Sequence, residues 1–369
     1  MGVIRAKTLD LKQLAPLSEE RAANSKLNEE EALSGEVELK SYPRRIVLEM
    51  TNACNICCKM CGRNASDFKP TIFNMEWLKI FEPITDKIEE VTLLGWGEPT
   101  LHPQFVEFLK WGDEHGLRKF FCTNGTRLGE LKNAIFKYKV DLLTVSLDGA
   151  DAETNNRIRC GADFSHITDN IREIVAEKKN RGVHYPYLSI VMTMMESNFR
   201  QMPDYVKLAH ELGIQEAKGV YLTVFEDRMM DELMCDKAQE LQEVFEETAR
   251  LGEEYGIQIK LPYLQGEDIA GEKAHKDCYV GWRDFFLGSD GYVRPCMSTS
   301  EKLFRVDKYT TFDEMWNSKE YQDFRRKVNN EDMALPCKNC YQASFANWNK
   351  KSSFLQIGNE FAPTWEKEN

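Results

Sequence analysis

The sequence predicts an α/β fold built on a mostly parallel sheet, and three observations carry that prediction. Short β-rich apolar runs alternate with helical stretches from residue 45 to residue 223, a pattern that builds parallel sheets through right-handed crossovers. Several of the helical stretches stop at Gly, as helices with a left-handed C-terminal residue do. The polar and glycine-rich oddities follow the strand-like runs directly, where parallel sheets bind ligands.

Residues 1–43 are polar and charged, with "SEERAANSKLNEEEALSGE" at their centre, and "SYPRR" ends them. They read as a helical or loosely ordered, solvated lead-in, with a substrate-side cap as the alternative. Strands are expected at "RIVLEMT" (45–51), "EEVTLLG" (89–95), "KFFCTNG" (119–125), "LLTVSLD" (142–148), "YLSIVMT" (187–193) and "AKGVYLT" (217–223). "HPQFVEFLKWGDEHG", "ITDNIREIVAEKKNRG" and "MPDYVKLAHELG" read as helices between them. A long helix, "KAQELQEVFEETARLGEEYG", and a strand-like "IQIKLP" follow. Beyond residue 270 the composition shifts. "RDFFLGSDGYVRPC" reads as a hairpin turning at Asp290–Gly291, and "TFDEMWNSKEYQDFRRKV" as a helix opened by a Thr cap. The resulting division is an extension (1–43), a main domain (44–265), a smaller domain (266–350) and a tail (351–369).

The 369 residues are 42% hydrophobic and carry a net charge of −12. That balance argues against nucleic acid, which demands clustered Lys and Arg. No apolar stretch reaches membrane-spanning length and no secretory h-region opens the chain, so a cytoplasmic, reducing setting is expected. Eleven cysteines in such a setting read as metal ligands, reactive thiols or small buried hydrophobes.

Four of them, Cys54, Cys57, Cys58 and Cys61, crowd into "EMTNACNICCKMCGRN" after the first strand. Thiolates on a short loop select zinc, copper(I) or iron–sulfur clusters. Structural zinc takes four ligands, usually as two pairs, and no His lies near in sequence. Cys54-x3-Cys58-x2-Cys61 supplies three ligands and leaves Cys57 as a bystander.

This segment resembles the radical S-adenosylmethionine (SAM) superfamily, whose signature is CxxxCxxC after the first barrel strand. The resemblance implies a partial (β/α)6 barrel and a [4Fe–4S] cluster held by Cys54, Cys58 and Cys61, with SAM on the open iron. Met60 stands where that family carries an aromatic residue. "LLGWGEPTLHP" looks like the family's GGEP segment, with Trp96 where glycine is common. By resemblance Gly97 and Glu98 receive the SAM amino group, Asn124 closes a strand in "TNG", and Ser146 meets the ribose or carboxylate side. Arg159 matches the arginine that pairs with the SAM carboxylate, with Arg157 as its competitor. Leu222 lies against adenine or is plain core.

Cys278, Cys296, Cys337 and Cys340 form a second set, open to zinc or to a second [4Fe–4S] cluster. Its surroundings look like the SPASM and twitch modules of the same superfamily, and four cysteines match the one-cluster twitch arrangement. Cys122 reads as core. Cys235, in "MMDELMCDK", is either a packed thiol or a hydrogen-atom donor.

The resemblance implies reductive cleavage of SAM to a 5′-deoxyadenosyl radical, fed by a flavodoxin- or ferredoxin-type reductant, and hydrogen abstraction from a substrate C–H bond. The cysteine intervals are similar to those of the aminocyclitol dehydrogenase branch, which implies oxidation of a small polar molecule. Peptide modification by crosslinking or epimerisation is the second reading, and a non-catalytic electron-transfer scaffold the third.

Overall fold

The computed structural model describes residues 15–65, 69–234, 236–262, 278–297, 301–334 and 337. Its strands are β1 (Arg45–Leu48), β2 (Cys57–Cys58), β3 (Glu90–Leu93), β4 (Arg118–Thr123), β5 (Leu142–Ser146), β6 (Arg159–Cys160), β7 (Tyr187–Met194), β8 (Glu216–Tyr221), β9 (Gln258–Lys260), β10 (Asp284–Leu287), β11 (Tyr292–Arg294) and β12 (Phe304–Arg305). Ten of them form one sheet in the order β12-β11-β10-β1-β3-β4-β5-β7-β8-β9, while β2 and β6 make a separate two-stranded ribbon. Every pairing from β10 across to β9 is parallel. The six expected strands are all present, and "IQIKLP" adds β9 beside β8.

The helices are α1 (Glu19–Ser34), α2 (Phe105–Glu114), α3 (Leu128–Lys137), α4 (Ala152–Ile158), α5 (Phe164–Arg181), α6 (Met202–Leu212), α7 (Ala238–Tyr255), α8 (Val280–Arg283), α9 (Phe312–Trp316) and α10 (Lys319–Lys327). Strand residues alternate between two faces. Ile46, Leu48, Val91, Leu93, Phe121, Leu143, Val145, Leu188, Ile190 and Ala217 point one way and merge with Phe105, Leu109, Leu131, Ile171, Val206 and Leu241 of the helices into the main core. The opposite, concave face is more polar: Arg45, Glu90, Thr92, Cys122, Thr144, Ser146, Ser189, Glu216 and Lys218 lie on it. This is the mostly parallel α/β sheet that the strand–helix alternation predicts, and the partial barrel that the family resemblance implies.

Gly182, Gly213 and Gly256 end α5, α6 and α7 in the left-handed region, with φ of 63°, 72° and 67°, as the sequence pattern requires. The hairpin turns where expected: Gly291 has φ 80° and Leu287 faces Val293 across the pair. The hairpin also extends the main sheet, because β10 runs parallel to β1 with Ile46 opposite Phe285. The stretch expected as one helix is two. A capping box between Thr311 and Glu314 opens α9, and the Ser318 side chain then caps Tyr321 N to start α10. Ser and Asn at the junction compete with the helical ladder, which accounts for the break.

The solvated lead-in is corrected. Asn24, Asn28 and Glu31 of α1 are buried. Asn28 Nδ2 donates to Trp282 O at 2.8 Å and to Ser41 Oγ at 3.0 Å. Trp282 Nε1 returns a bond to Glu36 O at 2.6 Å, Trp316 Nε1 one to Ser41 O at 2.9 Å, and Arg325 Nη1 one to Val37 O at 2.9 Å. On the barrel side Arg21 donates to His115 O and Gly116 O. The segment is a strap joining the barrel to α8–α10. Its sequence looks solvated because its contacts are polar: buried amides and carboxylates here satisfy backbone groups rather than pack apolar surface.

Candidate cofactor and metal site

The first cysteine loop springs from the end of β1. Cys54, Cys58 and Cys61 are free thiols, each half-buried. Burial pushes all three upward in pKa, Cys58 to about 12. Arg159 works against the rise at Cys58, and Arg63 at Cys54 and Cys61. Neutral thiols are poor ligands. A metal that takes their protons turns the same burial into affinity, with arginines left to offset the thiolate charge. Arg159 Nη1 lies 3.8 Å from Cys58 Sγ and Asn124 Nδ2 3.8 Å from Cys54 Sγ, the outer-shell donors that iron–sulfur ligands require. Three thiols on one loop, with Arg159 and Asn124 as outer donors, are a donor set that fits an iron–sulfur cluster.

Cys57 points away. It is exposed and stands opposite Cys160, also exposed, in the β2–β6 ribbon. Its neighbour pair in that ribbon is Cys58 with Arg159. The ribbon thus fixes Arg159 beside the cluster loop, a placement no spacing in the sequence announces.

Arg159 is buried, and its Nε meets Asp148 Oδ2 at 2.6 Å. Burial alone would lower its pKa, but the Asp148 carboxylate outweighs it and holds the guanidinium charged. Asp148 in turn accepts Thr193 N at 2.7 Å. Arg157 is exposed and turns toward Ser197 O at 3.3 Å, away from the thiols.

The Glu98 side chain is held inside the protein. Its carboxylate is 2% exposed and takes Thr100 Oγ1 at 2.6 Å, Thr123 Oγ1 at 2.7 Å and Asn124 N at 2.7 Å. A side chain so enclosed braces the strand ends, and only its main chain faces the loop: Glu98 N donates to Ala53 O at 2.8 Å. Gly97 is packed there too. A Cβ on it would stand 2.3 Å from Ala53 O and 2.4 Å from Thr51 O, so the close approach leaves room for glycine alone.

Asn124 Nδ2 also donates to Asn55 Oδ1 at 2.9 Å, tying the β4 end to the cysteine loop. Ser146 Oγ lies 3.4 Å from Cys122 Sγ; both are half-buried and face the concave side, so Cys122 is not helix-facing core. Leu222 is buried in a small cluster with Ile158, Met195, Val224 and Met229, against which Met60 packs. Met60, Leu222, Ile158, Met195 and Met229 line one depression at the mouth of the barrel, with Lys59, Arg228 and Glu232 at its edge. Such an apolar, thioether-rich wall suits a planar ring. Trp96 meets Phe225 edge-on at 5.5 Å, and the Phe225 ring lies over Gly62, just past Cys61.

In the second set Cys278, Cys296 and Cys337 are half-buried free thiols. Cys278 is pinned by Asn329, whose side chain accepts its N–H at 2.7 Å and donates to its carbonyl at 3.2 Å. Cys340 and Cys235 lie outside the described residues.

A family model of the radical SAM superfamily matches residues 48–209, and one of an iron–sulfur cluster-binding domain, SPASM, matches residues 278–341. The chain belongs to the radical SAM superfamily. It binds SAM and iron–sulfur clusters and carries a SPASM domain. The tungsten-containing aldehyde ferredoxin oxidoreductase cofactor-modifying protein of Pyrococcus furiosus is 24% identical over 338 residues, 85% of this chain and 92% of that one. The AdoMet-dependent heme synthase of Methanosarcina barkeri is 29% identical over 181 residues, and the mycofactocin maturase of Mycobacterium tuberculosis (strain CDC 1551 / Oshkosh) 28% over 176. Those matches span 50% and 43% of the two relatives' own lengths. Among solved structures, SuiB of Streptococcus suis bound to S-adenosylmethionine superposes with a TM-score of 0.60 at 15% identity, covering 83% of this chain and 71% of that one. Native anSMEcpe with bound AdoMet gives 0.60 at 18%, covering 82% and 88%. Both share the fold. Among the described residues no helix is long and apolar enough to cross a membrane.

Proposed function

We propose that this radical SAM enzyme oxidises a C–H bond of a small polar substrate, with the C-terminal cysteines holding an auxiliary cluster that accepts the electron. The observation that carries the reading is the continuity of the sheet through β1 and β10. The first cysteine loop follows β1, and Cys296 follows the hairpin that β10 begins, so one pair of hydrogen-bonded strands supports both thiol sets.

Each chain residue has a part in this reading. Cys54, Cys58 and Cys61 hold the first cluster; Cys278, Cys296, Cys337 and Cys340 hold the second. Main-chain groups at Gly97 and Glu98 receive the SAM amino group. Arg159, fixed by Asp148, offers the rest of its fork to the SAM carboxylate, and Ser146 meets the ribose side. Met60 and Leu222 flank the adenine. When bound, the clusters and SAM supply a hydrogen-abstracting radical and an electron acceptor; the protein orients the substrate and excludes water. A flavodoxin- or ferredoxin-type protein is the proposed reductant.

Peptide maturation is the second reading, favoured by the 28% identity over 176 residues with a mycofactocin maturase. Replacing Cys54, Cys58 and Cys61 together with Ala tests the enzymatic reading. The wild-type protein, anaerobically reconstituted, should carry about eight iron per chain and release 5′-deoxyadenosine with dithionite and SAM. The variant should keep about four iron and release none. Deoxyadenosine production unchanged in the variant, or absent in the wild type, rejects the reading. One deoxyadenosine per oxidised product, with no thiol consumed, separates oxidation from epimerisation.

A further inference from the structure

On the concave face, among the described residues, Lys218 is a cation with no hydrogen bond or ion pair, and the proposed chemistry leaves it unused. Two rows of residues cross this face in register. The lower runs Cys122, Thr144, Ser189, Glu216 from β4 to β8. The upper runs Ser146, Val191, Lys218, Lys260 from β5 to β9. Lys218 therefore stands two strands from Ser146, on the same face and at the same height as a residue assigned to SAM.

The local charges do not balance. Glu216 is the one carboxylate in these two rows, and it is already engaged: Oε2 with Lys260 Nζ at 2.5 Å and Oε1 with Ser189 Oγ at 3.0 Å. Asp148, nearer the mouth, is taken by Arg159. Lys218 is half-buried and has no hydrogen bond or ion pair among the described residues. The groups facing it are Glu216 from its own strand, Lys260 from β9, Cys122 from β4 and Val191 from β7. Burial lowers its pKa and Lys260 adds to that, while Glu216 and Cys122 oppose the change. A half-buried ammonium that shares Glu216 with Lys260 is only partly compensated, and the surplus amounts to one positive charge. Val191 beside it and Val220 one step up the same face supply apolar surface around the head group.

We propose that Lys218 is a substrate-anchoring residue that takes a carboxylate joined to an alkyl stem, placing the substrate under the SAM site. A phosphate, with nearly two negative charges, would leave one uncompensated here, so a carboxylate is the better match. This rests on the assignment of the concave face to SAM and substrate. SAM itself carries a carboxylate and is the other source of the same chemistry.

The test uses reconstituted, SAM-loaded protein and butyrate as the probe, read by saturation-transfer NMR. Wild-type protein and Lys218→Arg should both give a butyrate signal, and Lys218→Met should lose at least four-fifths of it. Butyramide should give none with any of the three. Equal signals in wild type and Lys218→Met, or no butyrate signal in the wild type, overturn the proposal. So does a tenfold loss of SAM affinity in Lys218→Met, measured by equilibrium dialysis, with the butyrate signal unchanged; the anion would then be SAM's own. Iron content and circular dichroism of Lys218→Met confirm that it is folded and loaded. Deoxyadenosine release without substrate is measured alongside: its absence from wild-type protein rejects the enzymatic reading, whereas its presence together with equal butyrate signals in wild type and Lys218→Met rejects only the anchor.

Discussion

Glu49, at the end of β1, holds Ser289, in the turn that leaves β10, by hydroxyl at 2.7 Å and by amide at 3.2 Å. The same carboxylate accepts Trp96 N at 2.9 Å. It is fully buried, and burial pushes its pKa up against those three hydrogen bonds. One side chain thereby ties together the root of the cysteine loop, the Gly95–Glu98 segment and the hairpin that leads to Cys296. Gly95 has no side chain because a Cβ there would stand 2.2 Å from Glu49 Cγ.

Glu49→Gln should therefore disturb both thiol sets together. The amide turns an NH2 toward one of three donors and leaves a buried N–H unpaired, a cost of about 1–3 kcal/mol. Lower thermal stability and reduced iron at both centres are expected. Normal stability with full iron content would show that the three segments hold their places without this carboxylate.

The Asp148–Arg159 pair gives a sharper outcome. Asp148→Asn removes the charge that compensates a buried guanidinium, and breaking such a pair costs about 3–5 kcal/mol. Arg159→Lys keeps the charge and loses the fork. It should remain folded and weaken SAM binding by about tenfold, the worth of one charge-assisted hydrogen bond. Urea unfolding of Asp148→Asn checks the first, and isothermal titration of SAM into reconstituted Arg159→Lys checks the second. SAM affinity unchanged in Arg159→Lys would leave the arginine to cluster support alone.

Gly62 and Gly97 separate two kinds of tight contact. An alanine at 62 brings a Cβ within 2.7 Å of the Phe225 ring, a side chain that can move; at 97 it meets main-chain atoms that cannot. Gly62→Ala should lower iron incorporation severalfold, and Phe225→Leu combined with it should restore most of the loss. Gly97→Ala should have no such second-site rescue. Iron and sulfide analysis of the four proteins measures this, and failure of the Phe225→Leu rescue would count against ring crowding as the cause.

What the sequence reveals about this molecule follows the period of its pattern. Strand alternation, the terminal glycines and the Thr311 cap are local signals, and each appears in the structure at or near the expected residue. The cysteine spacings are local as well. The ribbon that carries Arg159 to Cys58 joins residues 101 positions apart, and Glu49 reaches Ser289 across 240. No short-range pattern encodes such pairings. The enclosure of the Glu98 carboxylate is equally silent in the sequence, because Thr123 reaches it only once the strands are side by side. The strap misled for a related reason. Its polar residues are buried by tertiary hydrogen bonds, which leave no hydrophobic periodicity to read.

Asn28 carries the strap's most enclosed contact. Asn28→Ala strips a partner from Trp282 O at 2.8 Å, while Tyr42 O keeps Asn24 Nδ2 at 3.1 Å and Ser41 Oγ keeps Glu31 at 2.6 Å. Buried acceptors left unpaired cost about 1–3 kcal/mol. The apparent melting temperature should fall, and limited proteolysis should cut the variant within residues 15–43 before any cut in the barrel. Wild-type cleavage kinetics in the variant would mean the strap is held by its other bonds.

Tyr42, next in the strap, turns that docking into a pH dependence. Burial and a hydrogen bond with Asp313 raise its phenol from 10 to about 12, and its ring lies 6.2 Å from Phe312. The folded chain keeps this proton after the unfolded chain has released it. Stability from this source is complete below pH 10 and declines as pH rises from 10 to about 12, because proton binding then favours the folded state less and less. Tyr42→Phe lacks the ionisation and should lose less stability over that interval. Urea midpoints of the two proteins, compared at steps from pH 9 to about 12, isolate the effect, since every other titrating group is common to both. Parallel curves would mean that the phenol is solvated and titrates as it does in the unfolded chain.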